Sequence, residues 1–191
     1  FAASCGLTPR QTAGPFYPGE SQFTADNDLT RIPGHTLRAE GQVVYIKGQV
    51  LDQNCRAVAN ANVEIWQACA SGKYNNSKDP NTAPLDPHFK YWGETFTDQK
   101  GEYVFKTIIP GSYPADTDWV RPPHIHFRIS ALGHRELITQ MYFKGDALND
   151  KDAILLDIPA GERDSVIVDF QSSSADLEPG SLTGNFNITL R

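Results

Sequence analysis

The chain has no basic run. Its 17 Lys and Arg residues are outnumbered by 23 Asp and Glu, which gives a net charge of −6 and a pI near 5.3. That excludes the one-signed positive surface that a nucleic-acid-binding domain needs. No apolar stretch reaches the roughly 20 residues that cross a bilayer as a helix, so no membrane span is expected. No Cys-x-x-Cys pair exists, which removes zinc ribbons and thioredoxin-type redox sites. There is no internal repeat, no low-complexity tract and no complete signal peptide. The chain opens without Met, and Ala2-Ala3-Ser4 before Cys5 reads as the tail of a removed export signal. Trimming of the chain would give the same start. A secreted or periplasmic location is the expectation.

Cysteine is scarce, with Cys5, Cys55 and Cys69 only. Residues 57–68 read as extended, which puts Cys55 and Cys69 at opposite ends of one strand. That is beyond the roughly 7 Å Cα separation a disulfide tolerates. Any bridge therefore joins Cys5 to one of the other two. A lipidated Cys5 or three free thiols are the alternatives.

What is present suits a turn-rich β protein. The 191 residues fit one domain, 39% are hydrophobic, and there are 15 Gly and 13 Pro. Residues 1–40 carry little periodicity and read as an extended N-terminal arm with aromatic anchors, followed by a sandwich over 41–191. Stretches 43–51 and 63–68 alternate or run β-rich. Residues 94–97 and 103–109 flank Asp98-Gln99-Lys100-Gly101 and read as a hairpin. So do 124–132 and 137–143, while 165–170 and 186–190 close the set. Residues 70–92 form a long excursion, Pro110-Gly111-Ser112-Tyr113-Pro114 a turn, and 147–163 a loop with a short helical turn. Seven or eight short strands predict an all-β sandwich of the immunoglobulin or transthyretin type with long loops.

The stretch Trp119-Val120-Arg121-Pro122-Pro123-His124-Ile125-His126-Phe127-Arg128-Ile129 organises the rest. Strand side chains alternate faces, so His124 and His126 point one way and Ile125 and Phe127 the other. The two prolines lack backbone donors, which starts the strand at the histidines. Two imidazoles about 6–7 Å apart on one strand face can converge on a metal. A half-exposed strand that happens to carry two histidines has the same pattern. Tyr74 and Tyr113 sit in loops, where sites collect. Either alone is an ordinary loop aromatic, but with the histidines they make an N₂O₂ donor set. Phenolates are hard, charged donors that suit ferric iron better than zinc or ferrous iron. One added hydroxide makes the assembly neutral, as a buried site requires.

The motifs resemble those of the intradiol ring-cleavage dioxygenases, most of all the protocatechuate 3,4-dioxygenase subunits. They are Leu-Thr-Pro-Arg-Gln-Thr-Ala-Gly-Pro-Phe-Tyr at 7–17, Val-Glu-Ile-Trp-Gln-Ala at 63–68, Gly-Lys-Tyr at 72–74 and Ala-Pro-Leu-Asp-Pro-His-Phe at 83–89. The run continues through Gly-Glu-Tyr-Val-Phe-Lys-Thr-Ile at 101–108, Pro-Gly-Ser-Tyr-Pro at 110–114, Arg-Pro-Pro-His-Ile-His-Phe at 121–127 and Leu-Ile-Thr-Gln-Met-Tyr-Phe at 137–143. The resemblance covers nearly the whole chain in order. It implies a non-haem Fe(III) held by Tyr74, Tyr113, His124 and His126, with Tyr113 the phenolate that an arriving catechol displaces. It implies cleavage by O₂ between the two hydroxylated carbons, giving a cis,cis-muconate. Arg121 matches an active-site arginine that stabilises negative charge on the ring, and Gln140 a glutamine that orients an oxygen. Gly14 and Pro15 match a segment walling the substrate pocket, where Tyr17 would add a hydroxyl.

There are departures from that pattern. Protocatechuate dioxygenases often carry Trp two residues after the second tyrosine, where Ala115 stands here, and the Tyr113–His124 loop is shortened. The long N-terminal helical domain of catechol 1,2-dioxygenases is missing from this sequence. The substrate is expected among protocatechuate, catechol and hydroxyquinol, and association with a second copy of the chain is left open. Two other readings compete: a non-catalytic sandwich module that binds carbohydrate or protein, and a copper or zinc site at His124 and His126.

Overall fold

The computed structural model describes residues 5–19, 23 and 25–191. Twelve strands and one short helix are found among them. The fold is all-β, as expected, and it is built as two five-stranded sheets plus a small ribbon.

The first sheet is organised around β1 (Val43–Asp52). The antiparallel partner of β1 is β4 (Glu102–Ile108), while β11 (Leu182–Asn185) and β12 (Ile188–Leu190) follow one another along it in parallel. β10 (Phe170–Ser172) pairs with β11. The second sheet has the order β3 (Trp92–Phe96), β2 (Asn62–Trp66), β7 (His124–Ser130), β8 (Leu137–Phe143), β9 (Ile167–Val168). β5 (Tyr113–Asp116) and β6 (Trp119–Arg121) form the ribbon.

The strand that begins at His124 lies third of five, so both its edges are paired. Its Ile125, Phe127 and Ile129 are fully buried in the main core. Phe127 packs against Phe186 at 5.0 Å and Phe105 at 6.4 Å between ring centres, which ties the two sheets together. The opposite face of this sheet carries the histidines and a second cluster of Phe16, Trp66, Tyr74, Trp92 and Tyr113.

The N-terminal segment lies on the sheets. Backbone bonds run from Thr8 to Thr189 and from Gln11 to Ile138, and the Thr139 hydroxyl donates to Pro9 O. Further on, Leu29 is fully buried in the main core and donates to Lys106.

Some expected elements differ. Residues 94–97 and 103–109 do not form a hairpin. β3 pairs with β2 and β4 with β1, so the Asp98–Gly101 turn carries the chain from one sheet to the other. Tyr113 opens a strand instead of sitting in a turn. The stretch 165–170 splits into a 3₁₀ turn (Arg163–Val166), then β9 and the start of β10. β11 was not expected, because Leu-Thr-Gly-Asn has poor strand propensity. Gly184 stands there because Phe170 lies over it, within 2.7 Å of where a Cβ would be.

The disulfide joins Cys5 to Cys55, with Cα atoms 5.3 Å apart, and Cys69 is a buried free thiol. The bridge closes a 50-residue separation and ties the arm to the β1 turn. Cys5→Ser is expected to lower stability by about 2–4 kcal/mol. Urea denaturation of the wild type should show the same loss when a reductant is added, and the variant should show none.

Candidate active site

Register places the functional side chains. Trp66, His126 and Gln140 lie in one row across β2, β7 and β8, and His124 faces Tyr142 in another. The His126 ring stacks on Trp66 at 4.8 Å with planes 9° apart. His124 Nδ1 lies 2.7 Å from the Pro122 carbonyl, so this nitrogen carries the proton and donates. The lone pair on His124 Nε2 then points into the site. His126 Nδ1 has no such partner among the described residues, and the ring is held by the Trp66 stack and by Tyr74 Oη at its other nitrogen.

The tyrosines arrive on two loop segments that touch backbone to backbone. Gly72 has φ +87° and a Cβ there would sit 2.3 Å from Ser112 O. A Cβ on Gly111 would sit 2.5 Å from Ala70 O. Only glycine permits this approach. Tyr74 N–H donates to Asp79 Oδ2 at 2.7 Å, and its ring rests on Phe16 at 4.8 Å. Tyr113 pairs with Arg121 across the β5–β6 ribbon.

The structure brings all four predicted donors together. Tyr74 Oη lies 3.3 Å from His124 Nε2 and 3.1 Å from His126 Nε2. The Tyr74 and Tyr113 rings meet edge to face at 5.5 Å. All four residues are buried. Burial, reinforced by the Arg121 charge, pushes both imidazoles well below their ordinary pKa, so they are neutral donors. Burial pushes Tyr74 well above the usual phenol value and raises Tyr113 against the pull of Arg121. No group of three His, Cys, Asp or Glu side chains able to hold a metal occurs among the described residues.

Arg121 is 3% exposed and fully engaged. Its Nε and NH2 lie 2.9 Å from Asp152 Oδ1 and Oδ2. Its NH2 also reaches Gln140 Oε1 at 2.9 Å and the Tyr142 hydroxyl at 3.1 Å, and NH1 reaches His124 Nε2 at 3.1 Å. Burial disfavours the guanidinium charge, but the Asp152 bond overcomes it and keeps the group ionised. Gln140 Nε2 donates to Thr12 O, and the Tyr142 hydroxyl donates to Gln11 Oε1. Gln140 thus couples Arg121 to the arm.

A cavity of about 310 Å³ opens beside these groups. Gly14, Pro15, Tyr113, Arg121, His126 and Ile154 are among its walls, whereas Tyr74, His124 and Gln140 are not. The Gly14 Cβ position is 3.5 Å from His126 Cε1. Tyr17 does not reach this cavity. Its hydroxyl donates to Glu64 Oε2 at 2.6 Å and its ring packs on Trp66 at 4.8 Å, so the expectation of a Tyr17 hydroxyl in the pocket is corrected. Glu64 is its charged partner.

Sequence reasoning missed Asp152, Tyr142 and Gln11. Asp152 caps helix α1 (Ala153–Asp157) by accepting from Leu155 N, and Asp before Ala-Ile-Leu-Leu is a readable cap. Nothing local ties it to Arg121, which is 31 residues away. Tyr142 was readable, two residues after Gln140 in a hairpin that sets it opposite His124.

A family model described as Dioxygenase matches residues 12–191. The protocatechuate 3,4-dioxygenase beta chain of Burkholderia cepacia is 39% identical over 187 residues, 95% of this chain and 78% of that one. The chain belongs to the intradiol ring-cleavage dioxygenases. Catechol 1,2-dioxygenase of Acinetobacter guillouiae is 30% identical over 76% of this dioxygenase, which spans only 50% of that relative. Among solved structures, the dioxygenase domain of a dioxygenase–carbohydrate-binding protein fusion from Streptomyces sp. SirexAA-E superposes with a TM-score of 0.72 and 25% identity. It covers 97% of this chain and 98% of that domain.

Asp152→Asn keeps the cap and the shape but leaves the Arg121 charge without its anion. We expect a loss of about 3 kcal/mol in urea denaturation, with Asp152→Ala losing about 1 kcal/mol more for the cap. Equal stability of Asp152→Asn and wild type would mean that the pair does not hold the guanidinium.

Proposed function

We propose that this dioxygenase holds a non-haem ferric ion and opens catechol rings with O₂ between the hydroxylated carbons, releasing a cis,cis-muconate. Tyr74, Tyr113, His124 and His126 are the metal ligands in this reading. The observation that carries it is the convergence of Tyr74 Oη and two imidazole Nε2 atoms within 3.3 Å, with Tyr113 against Tyr74. The donor set fits the group, since two neutral nitrogens and two ionisable oxygens match a hard trivalent cation. A ferric ion held by these four residues would supply the Lewis acidity that lowers the phenol and catechol pKa values and activates the ring toward O₂.

The chain's own residues divide the remaining work. Tyr113 lines the cavity and Tyr74 does not. Tyr113 Oη is therefore the phenolate that meets the substrate and takes a hydroxyl proton from it. His124 and His126 stay neutral and fixed, by the Pro122 carbonyl and the Trp66 ring respectively. Arg121, its charge already paired with Asp152, presents guanidinium N–H groups held in fixed directions to the negative charge that builds on the ring. Gln140 acts through Arg121, holding its NH2 while anchored to Thr12. Gly14 and Pro15 close the cavity wall, and a dry wall strengthens each of these interactions.

Protocatechuate, catechol and hydroxyquinol are the candidate substrates. The Cys5–Cys55 disulfide favours an oxidising compartment, so the protein is proposed to act after export.

Iron-loaded protein should be red-brown from phenolate-to-iron charge transfer and should consume O₂ with a catechol. Tyr74→Phe should bleach or shift that band and lower kcat/KM roughly 100-fold, about 2.7 kcal/mol of barrier. An unchanged spectrum in Tyr74→Phe, or a colourless iron-loaded wild type, overturns the ligand set. Product identification against a panel of catechols tests the cleavage position.

A further inference from the structure

The cavity also carries information on which catechol it takes, and the argument rests on the function proposed above. Arg121 is the one Lys or Arg among the lining residues, and its charge already faces the Asp152 carboxylate through two bonds of 2.9 Å. The other charged wall residue is an acid, Asp79, whose two oxygens accept from Tyr74 N and Asn81 N. Lys73, on the same loop, is turned away and donates to the carbonyls of Asp79 and Asn81. Apart from Tyr113, His126 and Thr12 the remaining wall is mostly apolar, with Pro15, Pro80, Ala115, Trp119 and Ile154 in it. Its neutral donors are few: the Tyr113 and Thr12 hydroxyls and the Trp119 indole N–H. The hairpin that carries Ala115 and Trp119 also carries exposed Asp116 and Asp118, on a chain of net charge −6.

We propose that the substrate is an uncharged, single-ring catechol, bare or with a small apolar substituent, and that a ring carboxylate is rejected. A carboxylate in this cavity would be desolvated with no free cation to meet it, which is strongly unfavourable. An acidic rim would slow its entry as well. An alkyl group or halogen instead gains contact with Ile154, Ala115 and the prolines. At about 310 Å³ the cavity lies at the small end of the range for ligand sites, which holds the substrate to one ring. The prediction runs against simple transfer of substrate from the 39%-identical beta chain.

The test uses the full iron-loaded chain. Oxygen uptake gives kcat/KM for catechol, 4-methylcatechol and 3,4-dihydroxybenzoate, and titration calorimetry without O₂ gives their affinities. The expected result is a preference of roughly 100-fold for 4-methylcatechol over 3,4-dihydroxybenzoate in both readouts. Ile154→Lys should raise kcat/KM for 3,4-dihydroxybenzoate about 10-fold relative to that for 4-methylcatechol. A preference under 10-fold, or tighter binding of 3,4-dihydroxybenzoate, overturns the inference while leaving ring cleavage intact. If no catechol is cleaved, the proposed function falls, and the calorimetric ranking still decides the inference. Should Ile154→Lys fail to fold, the wild-type ratios decide it alone.

Discussion

A buried imidazole needs its position fixed on every side, because nothing in a dry pocket restores a ring that turns. The placement of β7 inside a five-stranded sheet meets that need twice over. Pairing on both edges fixes the Cα positions of His124 and His126, and strand alternation sends both rings to the same face. The same registers bring Trp66 and Gln140 level with His126, and Tyr142 level with His124. The opposite face of β7 contributes Ile125, Phe127 and Ile129 to the inter-sheet core. One seven-residue strand thus serves as core on one side and as site on the other. A one-residue slip would exchange the two sets, so the main core, with Phe105 and Phe186 seated on Phe127, holds the site in register.

A second layer of order comes from Arg121. Its guanidinium touches groups from β7, β8 and the turn before α1, while Gln140 and Tyr142 pass the connection on to Thr12 and Gln11 of the arm. An always-charged, planar donor suits this task because its five N–H groups are held in fixed directions. Lysine could not reach the same set with one nitrogen. The arm is held at its far end by the Cys5–Cys55 bridge and in the middle by Thr8, Pro9 and Gln11. Its contribution of Gly14 and Pro15 to the cavity wall therefore rests on covalent and hydrogen-bonded anchors outside the site.

What the sequence made legible followed local rules. Alternation and the Pro122-Pro123 pair located β7 and the direction of its histidines, and the β7–β8 hairpin followed from the Gly133 turn. The four donors could be gathered from residue chemistry, and the family resemblance agreed on the same four. Elements that depend on distant contacts were not legible. Gly101 looks like a hairpin turn in sequence, yet here it turns the chain between sheets, since Val50 N donates to its carbonyl. Leu182–Asn185 becomes a strand only because β1 offers an open edge. Tyr17 was placed in the pocket by its neighbours in sequence, but it bonds Glu64 and packs on Trp66 outside the cavity lining. Asp152 looked like a helix cap and is one; that it also faces Arg121 depends on how the turn after β8 folds back.

Gathering these groups without a cation is unfavourable in several ways at once. Two imidazoles are desolvated within 5.0 Å of each other, two phenols are buried beside them, and a guanidinium stands 3.1 Å from one imidazole nitrogen. Asp152 offsets the guanidinium, but Tyr74 Oη and the two Nε2 atoms are crowded within 3.3 Å, and His126 Nδ1 has no partner among the described residues. A trivalent ion bound by those atoms would convert mutual crowding into ligation and draw the phenol protons off. Its binding energy would then appear as folding energy, because the unfolded chain offers no comparable set of donors. The framework of β7, Arg121 and the arm keeps the donors together, and a bound metal would supply the stability that the bare polar cluster withholds.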